Sequence, residues 1–295
     1  MDRLDALRTF VAVAEHRSFS AAARQLHVSA AVASRAVSGL EQELGAALLH
    51  RATRSVTLTP EGTAFVARCR EALDLLDDAR RDLQGGRAEP RGLLVINAPV
   101  VFGRLHVLPI VSRVLRAYPA LQVRLTLTDQ IARLAEDGID VAVRAGELTD
   151  SALIAVKLID VHRLPVASAA YLATRGTPAV PGDLQEHDLI GFDGFALGDE
   201  WRFGGEGQTT VRFTPRLITN SVEAAIDAAI DGLGIARPLS YQVKRPLAEG
   251  RLVRLLDAYD PPPVPINLVF QANRRGSPNV RALIETAQAY FRERE

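Results

Sequence analysis

The stretch that most constrains this chain is Ser29 to Gly45, S-A-A-V-A-S-R-A-V-S-G-L-E-Q-E-L-G. It reads as one helix. Ser29 offers an N-cap hydroxyl to an orphan backbone N–H, and Gly45 can take the left-handed geometry that ends a helix at little cost. Val32, Ala36, Val37, Leu40 and Leu44 recur at helical spacing and predict the buried stripe. Ala30, Ala31, Ser34, Arg35 and Ser38 fall off that stripe. Small residues let a helix sit deep in the DNA major groove, and an arginine can bond a guanine edge or a phosphate. An ordinary amphipathic helix with a mixed outer face fits the same residues, so the flanking sequence has to decide.

On the N-terminal side, residues 2–15 predict a helix capped by Asp2, with Leu4, Leu7, Phe10, Val11 and Ala14 on one face. After the turn H-R-S-F-S, Ser20 is placed to cap a second short helix ending near His27. On the other side, residues 47–58 alternate like a two-stranded ribbon with Arg51 and Arg54 near its tip. Two short helices, a turn, a helix with a small polar face and a basic ribbon make a winged helix-turn-helix over residues 1–59. Residues 1–58 hold seven arginines against five acids, a mildly basic balance in a chain whose total charge is zero. That local excess suits a nucleic-acid face.

Thr59-Pro60-Glu61 opens the next helix with a capping hydroxyl, proline at N1 and an acid at the positive end of the dipole. Val66, Cys69, Leu73, Leu76, Arg80 and Leu83 then alternate at spacings of 3 and 4, which reads as a coiled-coil seam. About 25 residues give a rod of roughly 37 Å, and so narrow a stripe calls for a partner. Residues 60–90 are therefore expected to join two chains and present two reading heads to a dyad-symmetric double-stranded DNA site. G-G-R-A-E-P-R-G (85–92) is a hinge.

Beyond it, strands alternate with helices. Strands are expected at 93–98, 121–128, 139–145, 153–168, 189–192, 210–218, 235–237, 252–256 and 266–271. Helices are expected at 102–117, 131–137, 169–175, 221–231 and from Ser277-Pro278 to about Arg292. The pattern predicts an α/β domain with a mainly parallel sheet, large enough for two subdomains with a cleft. A single cysteine excludes an internal disulfide or a Cys-rich zinc site, and His16, His27 and His50 lack ligand spacing. No metal or cofactor is expected, and no G-x-S-x-G, G-x-G-x-x-G after a strand, P-loop or H-E-x-x-H points to an enzyme. No apolar run approaches a membrane span, and M-D-R-L-D-A-L-R lacks the apolar core of a signal peptide. A cytoplasmic protein without a membrane partner is the expectation.

The runs F-V-A-V-A-E-H-R-S-F-S-A-A-A-R-Q-L-H-V-S (10–29), S-R-A-V-S-G-L-E-Q-E-L-G (34–45) and L-L-H-R-A-T-R-S-V-T-L-T-P-E-G (48–62) resemble the LysR-type transcriptional regulators. N-A-P (97–99), Y-P (118–119), D-V-A-V-R-A-G (140–146), Y-L-A-T-R-G-T-P (171–178), D-L-Q-E-H-D-L-I (183–190) and G-L-G-I-A (232–236) resemble the family's effector domain. The resemblance implies a winged helix-turn-helix, a linker helix for dimerisation, and a two-lobed α/β effector domain of the periplasmic-binding-protein-like, type 2 fold at 91–295. Lobe I would hold 91–161 and 265–295, and lobe II 162–264. It further implies a homotetramer built as a dimer of dimers, activation or repression of transcription, a small-molecule effector in the cleft, and contact with RNA polymerase.

By position in the family, Ser29, Ala30, Ala31, Ser34 and Arg35 would face the major groove, with Ser29, Ser34 and Thr53 on phosphates and Arg51 and Arg54 on the wing. Many members carry Gln at the position of Ala30 and Pro at that of Ala31. Alanine makes only apolar contact, so base discrimination here should lean on Arg35, the wing and DNA shape. Dimerisation would use Val66, Cys69, Leu73, Leu76 and Leu83. The effector would meet Pro99, Val100, Val101, Thr128, Asp129, Arg144 and Gly146 from one lobe, and Phe203, Asn220 and Ser221 from the other. Arg144 is the expected cation for an organic acid, with a surface ion pair to Asp140 or Asp129 as its alternative. Pro99 and Val100, standing where acid-binding members often offer a hydroxyl, favour a more apolar or aromatic ligand over a simple dicarboxylate.

Overall fold

The computed structural model describes residues 2–52, 55–82, 89–130, 132–146, 152–193, 200–204 and 209–294. The N-terminal head is built from α1 (Arg3–His16), α2 (Phe19–Gln25) and α3 (Ala30–Leu44). A ribbon of β1 (Leu49–Ala52) and β2 (Ser55–Leu58) follows, then the long α4 (Pro60–Asp82). The caps are local chemistry. Ser29 Oγ accepts from the Val32 amide at 3.2 Å, and Gly45 ends α3 at φ 65°. Ser18, not the expected Ser20, caps α2 by accepting from the Ala21 amide at 3.3 Å. Glu41 ties the end of α3 to the ribbon, its carboxylate accepting from the Leu48 and Leu49 amides at 2.9 and 3.1 Å. Phe10, Val37, Leu40 and Leu48 form the core beneath, each fully buried side chain contributing roughly 1.5–3 kcal/mol.

The larger domain starts with β3 (Gly92–Ala98), whose apolar run is buried on both faces. A helix follows that is α5 (Val100–Phe102), then a π turn at Gly103–Val107, then α6 (Leu108–Ala117). β4 (Leu121–Leu127), β5 (Val141–Ala145) and β6 (Leu153–Val161) complete the outward path. The chain then builds a second lobe from β7 (Val166–Ala167), α7 (Ala169–Arg175), β8 (Ile190–Phe192), β9 (Glu200–Phe203), β10 (Thr209–Arg212), β11 (Leu217–Thr219), α8 (Val222–Ile230), α9 (Ser240–Ala248) and β12 (Val253–Arg254). It returns through β13 (Val264–Gln271), and α10 (Pro278–Arg292) packs back on the first lobe.

The first-lobe sheet has the order β4-β3-β5-β13-β6. The expectation of a mainly parallel sheet holds for β4, β3 and β5 only, because β13 runs antiparallel to both β5 and β6. The reason is topological. β13 re-enters from the second lobe rather than through a right-handed crossover, so nothing requires it to run parallel. In the second lobe, β8 and β11 pair in parallel, β7 and β12 antiparallel, and isolated bridges at Val166–Ala236 and Leu189–Ile235 stitch them together.

Several local expectations change, among them the strand expected at 235–237, which is reduced to the isolated bridges at Ile235 and Ala236. Residues 134–138 form a turn, not a helix, and the Asp137 carboxylate accepts from the Arg133 amide at 2.8 Å. The strand expected at 210–218 is two strands, β10 and β11, belonging to different sheets. β9 and α9 were not foreseen. α9 carries Pro246 within it, which reads as a breaker in sequence.

Candidate functional site

On α3, Ala30, Ala31 and Arg35 are exposed and Ser34 is half-buried. The stripe that packs inward is Ala33, Val37 and Leu40. Val32 and Ala36 are only half-buried and Leu44 is 38% exposed, so the expected stripe is corrected by a rotation of the helix. The rotation turns Val32, Ala36 and Gly39 toward an open groove shared with Arg3 of α1, near an Arg3–Glu43 ion pair at 3.0 Å. Arg35 Nε lies 3.4 Å from the Ala31 carbonyl, which lays the guanidinium along the exposed first turn. Arg51 stands on β1 opposite Val56. Thr53 and Arg54 lie outside the described residues.

The linker helix is anchored by its own start. Thr59 accepts from the Gly62 amide at 2.9 Å and donates to the Ala47 carbonyl at 2.7 Å. A Cβ on Gly62 would come within 1.9 Å of the Leu48 carbonyl oxygen. Gly62→Ala therefore forces α4 off the ribbon. A cost of about 1–3 kcal/mol is expected, seen as a lower melting temperature of the full chain; an unchanged melt would show that the ribbon yields freely.

Val66, Cys69 and Leu73 are 6, 3 and 8% exposed in the single chain, packed into the head with Phe10, Val13 and Leu48. Arg70 reinforces this contact through Glu15 at 3.0 Å. Those three residues are therefore not a surface left for a partner, which corrects their placement on the dimer seam. Spacings of 3 and 4 mark an apolar face but not whose surface covers it. Leu76 is 45% exposed, and Leu83 lies outside the described residues. Burial pushes the Cys69 thiol up to about 11.

Between the two lobes lies a cavity of about 270 Å³. The first lobe contributes Pro99, Asp129 and Ala145, each at the C-terminal end of a strand. This is where open α/β sheets bind ligands. The second lobe contributes an apolar wall that includes Ile190, Phe192, Trp201, Phe213 and Val222. Trp201 and Phe213 meet edge to face at 4.9 Å between centroids. Tyr241 and Gln242 line the lobe junction, and Arg163 and Arg237 bring two cations. Asp129 Oδ1 accepts from the Val100 amide at 3.1 Å, while burial raises its carboxyl above the usual range. The Arg237 guanidinium lies 4.7 Å from the Phe203 ring centroid and donates to the Arg202 carbonyl. Its buried Nε has no hydrogen-bond partner. Burial and the neighbouring Arg163 charge hold Arg237 down to about 9.

Of the expected effector residues, Pro99 and Asp129 line this cavity and Val100 supplies the amide that positions Asp129. The others are placed elsewhere. Val101 is buried in the second-lobe core, and Phe203 is buried beneath Arg237. Arg144 donates to the Ala132 carbonyl at 2.6 Å, and neither expected ion pair is what engages it. Asp140 instead pairs with Arg274 at 2.9 Å. Thr128 accepts from the Gln130 amide, Gly146 accepts from the Asn267 side chain, and Ser221 caps α8. Asn220 is exposed outside the lining. The sequence reading missed Arg163, Arg237, Trp201 and Tyr241. Arg237 had a signal: it interrupts the apolar run I-A-R-P-L, where a charge inside a buried segment calls for a reason.

Two family models match the chain. The bacterial regulatory helix-turn-helix protein, lysR family, covers residues 4–63, and the LysR substrate binding domain covers residues 87–292. The chain belongs to the LysR family of transcriptional regulators. It is 37% identical over 291 residues to the HTH-type transcriptional regulator PtxR of Pseudomonas aeruginosa, spanning 98% of this chain and 93% of that one. It is 32% identical to the regulator DmlR of Escherichia coli, spanning 98 and 95%. The structure of CrgA, a LysR-type regulator from Neisseria meningitidis, matches with a TM-score of 0.61 at 29% identity, covering 97% of this chain and 98% of that one. A full-length OxyR variant from Pseudomonas aeruginosa shares the fold, with a TM-score of 0.73 at 19% identity over 97% of each chain.

As a LysR-type regulator, this chain couples a DNA-binding head to a two-lobed effector domain of the periplasmic-binding-protein-like class and regulates transcription. Its named relatives are transcriptional regulators. Oligomers are the rule for the family. Among the described residues no helix is long and apolar enough to cross a membrane, and no cluster of metal-ligating side chains occurs.

Proposed function

We propose that Ser29, Ala30, Ala31, Ser34 and Arg35 form the DNA-reading face, flanked by the ribbon with Arg51, Thr53 and Arg54. The single observation that carries this is the division of α3. One side, with Ala33, Val37 and Leu40, is consumed by the core, while the start of the helix stands exposed and nearly flat apart from Arg35. Ser29 spends its hydroxyl on the Val32 amide, so it orders the helix start first and meets phosphate second.

In this reading the outward face of α4 around Leu76 joins two chains, and two such dimers assemble on DNA inside the cell. The cavity between the lobes holds the effector, with Pro99 and Asp129 on one side and the second-lobe aromatic wall on the other. The protein acts by binding and has no catalytic role. Occupancy of the cleft changes how the heads engage the promoter and RNA polymerase.

Selection of duplexes from a random DNA library by the full-length protein tests the reading. A dyad-symmetric consensus is expected, and recovery of unrelated sequences would defeat it. On that consensus, Arg35→Ala should lose about 1–3 kcal/mol, or about 5- to 150-fold, with little loss on random DNA if Arg35 meets a base. Equal losses on both would make it a phosphate contact.

A further inference from the structure

The cleft holds two arginines whose charges the protein answers only in part. Arg163 and Arg237 both line the cavity; burial lowers both, and the Arg163 charge lowers Arg237 further. Among the described residues neither guanidinium has a carboxylate within ion-pair distance. Two carboxylates, Asp129 and Asp193, stand in the same lining, and a third, Asp260, acts on Arg237 from beyond ion-pair distance. Asp129 is held by the Val100 amide, and Asp260 is bonded to Arg254 through one oxygen while the other is buried without a partner. Among the described residues Arg237 makes one hydrogen bond, to the Arg202 carbonyl, and its Nε is buried and unpaired. A half-satisfied guanidinium in a low-dielectric site beside a second cation is costly unless something negative joins it. Arginine's fork is the geometry that takes a carboxylate through two bonds.

Apart from Asp129, Asp193, Tyr241 and Gln242, the remainder of the lining is apolar. Ile190, Phe192, Trp201, Phe213 and Pro215 leave only a few polar groups at the lobe junction. Aromatic walls of this kind favour a flat apolar body whose faces and edges they can meet.

Resting on the reading of the cleft as the effector site, we propose that the effector is a small organic monoanion, its acid group bound by Arg163 and Arg237 and its planar apolar body held against Trp201 and Phe213. The anion enters as an ion-pair partner for both cations and bridges the lobe crossover at Arg163 to the second lobe at Arg237. Arg144, the cation expected from sequence, takes no part, because its guanidinium is committed to the Ala132 carbonyl.

Trp201 is the sole tryptophan of the chain and lies in the cavity wall, so its fluorescence reports on the site directly. The experiment titrates the full-length protein with benzoate and cyclohexanecarboxylate, each against its neutral amide of the same shape. Both acids are expected to give a saturable change in Trp201 emission, with the amides at least about tenfold weaker. Arg237→Met and Arg163→Gln should each erase most of that preference. Arg163 lies on the chain crossover, so the second variant serves if the first fails to fold. Amides that bind as well as acids, no saturable signal from either acid, or a preference that survives both substitutions would overturn the anion assignment. The effector reading fails separately: the acids would bind through Arg163 and Arg237 yet leave the DNA footprint unchanged. A neutral compound that saturates Trp201 and shifts the footprint would keep the cleft as effector site and sink only the anion.

Discussion

Leu73→Asp and Leu76→Asp, three residues apart on α4, are expected to fail in different ways. Leu73 is 8% exposed in the core of the head. An aspartate there forfeits about 1.5–3 kcal/mol of burial and adds a desolvated charge without a partner, costing several kcal/mol more. The head should unfold, with loss of amide protection across α1 to α3 and of all DNA binding. Leu76 is 45% exposed, so an aspartate there leaves the head folded. If its face joins two chains, the solution mass should fall to that of a single chain, and affinity for a dyad site should drop to that of one head. A Leu76→Asp protein with unchanged mass would move the dimer contact off this face. A folded Leu73→Asp protein would show that α4 does not belong to the head's core.

Phe10→Ala is the second large effect. Phe10 is fully buried and meets the ring of Phe65 at 5.8 Å, which joins α1 to α4. Truncation of a buried phenylalanine costs about 3–5 kcal/mol, because the void is only partly refilled. The head's core and the effector domain's core are separate clusters. Hydrogen exchange should therefore show lost protection in α1 and α3, with β3, β5 and β13 as protected as before. Loss spread evenly over both domains would mean that they unfold as one cooperative unit.

What was legible in the sequence was chemistry that acts over three or four residues. The Ser29 cap, the Gly45 stop and the Thr59-Pro60 start each join a side chain or a backbone geometry to its immediate neighbours, so the residue types alone indicate them. The buried stripe of α3 was misread because Ala33 carries little hydropathy, yet its small side chain is what lets the helix pack closely, and it is fully buried. Leu44 carries much hydropathy but is the last residue of α3, beside Gly45, and stands 38% exposed. For Cys69 and Leu73 the periodicity was right, but periodicity cannot say whether the covering surface is the same chain.

The cleft was harder, for a related reason. Pro99 and Asp129 follow strands and could be placed from strand order. Arg163 and Arg237 are 74 positions apart in the chain, and they meet only because a bridge pairs Arg163 with Leu239. No local pattern announces such a pairing. Arg144 looked more exposed to function because it ends a strand facing the cleft, yet a single carbonyl at Ala132 captures it.

Cys69 has a practical consequence. It is the only cysteine in the chain, and its burial keeps the thiol protonated near neutral pH, so thiol-directed reagents pass it by. A cysteine introduced at an exposed position, such as Ser38 on the recognition helix, becomes the sole labelling handle on each protomer without removal of a native residue. One dye per head then turns the regulator into a ruler, reporting the distance between paired heads on a DNA site before and after an effector fills the cleft.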